Sequence, residues 1–90
     1  MYIHQLSPTQ YQRTCRYLQT HAHILPLDPS YTFSLRLPEG EYLLKLQPED
    51  GCRLVLLHAL QVERTPEGPT FVLITETDQL QSLMASLLTS

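Results

Sequence analysis

Along residues 31–37 the chain alternates strictly: Tyr31, Phe33, Leu35 and Leu37 are apolar, and Thr32, Ser34 and Arg36 between them are polar. A two-residue period of this kind predicts a strand with one buried face. Pro38-Glu39-Gly40 then reads as a tight hairpin connection, and residues 41–47 return with Tyr42, Leu44 and Leu46 on one side, so the two strands are expected to pair antiparallel. Pro48-Glu49-Asp50-Gly51 repeats that turn chemistry ahead of an apolar run over 52–62, the third strand of a meander. There the pattern changes. Leu54, Leu56 and Leu60 fall on one side, and Val55, Leu57 and Ala59 on the other. A polar loop over 64–69 is expected to break the sheet, after which residues 70–74, apolar on both faces, predict a fourth strand.

A helical period governs both ends of the chain. Ser7, Pro8 and Gln10 form a capping-box start, with Leu6 and Tyr11 placed for a hydrophobic staple. Tyr11, Cys15, Leu18 and Ala22 continue one apolar stripe, with Gln12, Arg13, Arg16 and Gln19 opposite. Pro26 and Pro29 make residues 23–30 a connector. At the other end Asp78, with Gln81 three residues on, predicts a cap for a helix whose Leu80, Leu83, Met84, Leu87 and Leu88 share a face. The expected architecture is one α+β domain over residues 1–90. It has a small antiparallel sheet, a three-stranded meander plus a fourth strand, with an N-terminal and a C-terminal helix on one face.

Composition narrows the function classes. Ninety residues leave room for one core, and a chain this short gains stability from a partner that covers more surface. With 42% hydrophobic and 17% charged residues the chain is too apolar for disorder, and no apolar run approaches a membrane span. Six Lys and Arg against nine Asp and Glu give a net charge of −3, which offers no general attraction for nucleic acid or anionic lipid. The N-terminal stretch shows neither the basic nor the apolar region of a signal peptide, so the expected location is cytoplasmic. Cys15 and Cys52 lie outside any C-x-x-C pair and are expected to be reduced.

Candidate chemistry is sparse. His21 and His23 with Cys15 form the one cluster with metal-ligand side chains, and two residues of helix would point the histidines apart, so no metal is expected. His58 falls on the Leu54, Leu56, Leu60 side, where a core or interface role is expected ahead of catalysis. The acidic residues sit in turns, and neither a G-x-S-x-G elbow nor a phosphate-cradling glycine loop is present. No catalytic residue and no cofactor is assigned.

What remains is surface. If the helices cover Phe33, Leu35, Tyr42, Leu44, Leu54 and Leu56, then Leu43, Val55 and Leu57, with Val72 and Ile74 of the fourth strand, become the candidate partner-binding residues. The alternative, with the C-terminal helix over that second face, stays open at this point. Dimerisation, with a copy or with another chain, is the simplest use of such a face.

The first helix, the link from His23 to Asp28, Phe33-Ser34-Leu35 before a glycine turn, Tyr42-Leu43-Leu44-Lys45-Leu46, and the run from Arg53 to Leu60 resemble the class I type III secretion chaperones, the CesT/Tir-chaperone family, over residues 8–62. The resemblance implies a small, acidic, cytoplasmic and usually dimeric protein that holds the N-terminal segment of a secreted effector in extended form along apolar patches, in support of virulence. This chain departs from the family pattern where loop 63–69 leads directly to one strand, without the additional helix of family members. The dimer interface is therefore not carried over. An adaptor or export-apparatus subunit that binds a folded partner through the same face is the alternative.

Overall fold

The computed structural model describes residues 1–24 and 27–89. The elements run β1 (Tyr2–Gln5), α1 (Pro8–His21), β2 (His23–Ile24), β3 (Tyr31–Leu37), β4 (Gly40–Glu49), β5 (Arg53–Thr65), β6 (Gly68–Ile74) and α2 (Thr77–Leu88). All six strands belong to one antiparallel sheet, ordered β1-β5-β4-β3-β2, with β6 also paired to β5.

The expected sheet, a three-stranded meander plus one strand, is thus corrected to six strands. The two additions have no strand pattern of their own. β1 pairs with residues 53–56 of β5, and β2 contributes only two residues, paired with Tyr31 and Thr32, from within the expected connector. Leu25 and Pro26 of that connector lie outside the described residues. The expected loop 64–69 is instead the tip of a hairpin: Thr65 pairs with Gly68 across Pro66 and Glu67. Gly68 has φ +126°, a conformation that L side chains rarely adopt. Glu63, Arg64 and Thr65 are exposed and polar, so a strand end that projects beyond the core reads like a loop.

The 13 residues of β5 let it hold two neighbours along one edge. β4 takes one side, and β1 and β6 lie end to end along the other, against residues 53–56 and 59–65. Between them the register with β4 slips: Lys45 pairs with His58 but Leu46 pairs with Leu56, which leaves Leu57 as an extra residue, a β-bulge. The bulge reverses the alternation of β5. Leu54 and Leu56 face the helices, as expected, but so does Ala59, while Leu60 turns to the opposite side.

Both helices pack on one face. Leu18 of α1 and Leu80, Leu83, Met84 and Leu87 of α2 join Phe33, Leu35, Tyr42, Leu44, Leu46, Leu54, Leu56 and Ile74 in one core. Ser7 caps α1 as its sequence predicts: its hydroxyl oxygen accepts from the Gln10 amide at 3.2 Å, and the Gln10 side chain accepts from the Ser7 amide. The expected cap of α2 shifts. The helix starts at Thr77, with Glu76 at the cap position and no side-chain capping bond, so Asp78 lies in the first turn, where its charge suits the helix dipole. Tyr11 and Leu6 tie the start of α1 to the β4–β5 turn. The Tyr11 hydroxyl donates to the Glu49 carbonyl at 3.0 Å, and the Leu6 amide to the Cys52 carbonyl at 2.9 Å.

Candidate functional site

Because side chains alternate across a strand, the residues between the core positions form a second sheet face that neither helix occupies. Register builds it row by row. Ser34, Leu43, Leu60 and Leu73 lie side by side across β3, β4, β5 and β6. The next row holds Arg36, Glu41, Val62 and Phe71. On the other flank Thr32, Lys45 and His58 are aligned, and beyond them Gln47, Val55 and Ile3.

The apolar part of this face is concentrated on β5 and β6. Leu43, Leu60 and Val62 are half-buried by their neighbours, whereas Phe71 and Leu73 remain 52% and 57% exposed. A charged network rims it. Arg64 donates to both Glu41 carboxylate oxygens, with the shortest separation 3.1 Å, and Arg36 approaches the same carboxylate at 3.7 Å. On the far flank Lys45 lies 3.7 Å from Asp28. An apolar patch within a polar rim is the usual character of a protein-docking surface.

The five residues expected to bind a partner do not end up together. Leu43 lies on the open face, in the central row. Val55 is on the same face but only 1% exposed, outside the helix-side core. Leu57 is the bulged residue and borders a depression of about 220 Å³ with Met1, His58, Leu73, Ile74, Thr75 and Leu80, at the gap between the ends of β1 and β6. Val72 pairs with Gln61 and so faces the helix side, yet it stays 47% exposed. Ile74 is corrected outright: it pairs with Ala59 on the helix-covered face and is buried in the core. Sequence reasoning missed Leu60, Val62, Phe71 and Leu73. The bulge hid the first two, and only the register with β5 assigns the last two to the open side.

The candidate reactive groups are dispersed. His21 stacks on Tyr17 with ring centroids 4.3 Å apart, its Nδ1 lying 3.0 Å from the Tyr17 carbonyl oxygen, while His23 is in β2. His58 is exposed and faces Lys45 across the sheet, which corrects its expected place on the Leu54 and Leu56 side. Among the described residues no group of three or more His, Cys, Asp and Glu is placed to hold a metal ion. Burial raises the Cys15 thiol above its ordinary pKa, and desolvation, with the neighbouring Cys15, raises the Tyr11 phenol, so both groups are held neutral near pH 7.

No helix among the described residues is long and apolar enough to cross a membrane. No protein-family model matches the chain, and neither a curated protein nor a solved structure matches it.

Proposed function

We propose that this protein is a non-catalytic protein-binding module that works through its open sheet face and the adjoining strand β6. The observation that carries the reading is the row Leu43, Leu60, Leu73, which runs uncovered across three strands and ends at an exposed apolar strand edge. Such a surface offers a partner two kinds of contact, apolar side chains on the face and main-chain hydrogen bonds at the edge. An active site is not needed for this role.

The specific form of the proposal is a cytoplasmic chaperone that keeps the N-terminal segment of a secreted effector extended for type III export. Its support is the sequence resemblance over residues 8–62. The breadth of the open face favours the second reading, an adaptor or export-apparatus subunit that binds a folded chain. In either form the working species is a complex with a second chain, a different protein or another copy.

Affinity capture from the native host tests the proposal, with the wild type compared against a folded Leu60→Lys, Leu73→Lys double variant. A partner retained by the wild type and lost by the variant is the expected result. Limited proteolysis of the complex separates the two forms, since a protease-resistant N-terminal segment marks an export client and an intact resistant partner marks an adaptor. Equal retention of every partner by the variant would remove the open face from function.

A further inference from the structure

The edge of β6 that faces away from β5 has no strand beside it among the described residues; β1, at the other end of the same side of β5, is likewise open but only four residues long, and the free edge of β3 differs in character. From Gly68 to Ile74 β6 contains no charged side chain, and its exposed residues lie on both faces, Phe71 and Leu73 on one and Val72 on the other. On β3, by contrast, β2 covers only Tyr31 and Thr32, and the free stretch 33–37 carries exposed Arg36 and is followed by Pro38. A charge on an edge strand and a proline at its end are common devices against strand addition. The only such device on β6 is Pro69, at its start, so residues 70–74 present about 17 Å of unguarded edge.

Both ends of that edge are acidic. Glu67 precedes the strand in the hairpin turn, Glu63 pairs beside Thr70, and Glu76 and Asp78 follow the strand. All four are exposed, and the ion pairs among the described residues use Glu41 and Asp28 instead. Arg64, the one cation near the turn, is engaged by Glu41, and Glu76 makes no capping bond.

We infer that β6 accepts, as an added strand, an extended segment of a different protein that is apolar over about five to seven residues and carries Lys or Arg at both ends. This rests on the protein-binding reading and names the partner chemistry of the same surface. The charge pattern decides between this occupant and a second copy. Two-fold antiparallel pairing of β6 with itself would set the Gly68 end of each strand against the Ile74 end of the other, and so bring Glu67 toward Glu76 twice over. Like charges opposed across strands are unfavourable, whereas a basic flank relieves the same carboxylates. The segment supplies main-chain bonds along residues 70–74 and packs alternate side chains beside Phe71 and Leu73 on one face and Val72 on the other.

Two capped fluorescent peptides test the inference, each with a core of seven alternating valine and threonine residues, one flanked by paired lysines and the other by paired glutamates. Binding is read by anisotropy at low salt, and the site by amide hydrogen exchange of the full chain. The lysine-flanked peptide is expected to bind about five-fold or more tightly, to slow exchange within residues 70–74, and to lose its advantage in 0.5 M salt. In a Glu67→Lys, Glu76→Lys variant, with folding checked by thermal unfolding, the preference should reverse. Equal affinity for both peptides, or protection of residues 2–5 or 33–37 in place of 70–74, would overturn the inference. A protein that alone shows twice its monomer mass with residues 70–74 already protected would overturn it in favour of self-pairing. Failure of both peptides while the Leu60 and Leu73 substitutions still abolish host capture would overturn this inference and leave the protein-binding reading standing.

Discussion

Leu56 and Ala59 of β5 face the same side of the sheet although three positions separate them, and both are buried beneath the helices. An unbroken strand would put them on opposite faces. The extra residue, Leu57, absorbs the mismatch and thereby hands Leu60 to the open face. The identity of the docking surface therefore depends on one bulge.

This relationship sets a pair of opposite expectations. Ala59→Lys should destabilise the fold by several kcal/mol, because it forces a charge into the helix-side core. Leu60→Lys should cost only about 1 kcal/mol, since the side chain is half-buried on the open face and a lysine stem can lie along its neighbours. Urea unfolding measures both. The reverse order, with Leu60→Lys the costlier variant, would restore strict alternation to β5 and dissolve the proposed surface.

Leu18 is the buried residue of α1, fully enclosed against the sheet. Its truncation to alanine should cost about 2–5 kcal/mol, a large share of the stability of a domain this size. Truncating Tyr11 to phenylalanine should cost about 0.5–1.5 kcal/mol, because the hydroxyl's bond to the Glu49 carbonyl goes together with its interaction with the Cys15 thiol. A Leu18→Ala protein that unfolds at the wild-type denaturant midpoint would show that α1 adds nothing to the core.

The Ser7 cap is local and separable from packing. Ser7→Ala should lower stability by about 1 kcal/mol, or a Tm loss of about 4–8 °C in a chain of this length. Ser7→Asp should hold most of it, since a carboxylate can accept the same Gln10 amide. Thermal circular dichroism reads the series, and equal Tm values for the alanine and aspartate variants would contradict the assigned bond.

Asp28 provides a pH handle. Its Oδ1 accepts from the Ser30 hydroxyl at 2.6 Å and from the Ser30 amide at 2.9 Å, and these bonds, with Lys45 nearby, hold its carboxyl below the ordinary 3.8. With a depressed folded-state pKa, the stabilisation is complete above the unfolded value and is lost as pH falls through the folded one. Carbon-detected NMR should place the Asp28 midpoint below 3.8, and Ser30→Ala should move it upward, since the hydroxyl bond is the largest cause. A wild-type midpoint at or above 3.8 would refute the bonding scheme.

Much of the fold was legible because its signals are local. The alternation of residues 31–37 produced β3, the Ser7-Pro8-Gln10 triplet produced the start of α1, and the leucine spacing after Asp78 produced the buried stripe of α2. β1 and β2 were not legible, since four residues and two residues form strands only when a neighbour supplies the ladder. The β5–β6 hairpin was misread for a related reason: polar strand ends that leave the core carry no apolar period.

The sequence alone determined which residues could make a core and that a surplus of apolar side chains would be left over, because periodicity and composition are properties of the chain. Which of those residues stay uncovered was decided only in three dimensions. Leu57 gives no local sign of being a bulge; it becomes one only when β4 holds His58 against Lys45 and Leu56 against Leu46. That single slip buries Ala59 and Ile74 and turns Leu60 and Leu73 outward, since pairing between strands, and not the preference of any one strand, fixes which way a side chain points.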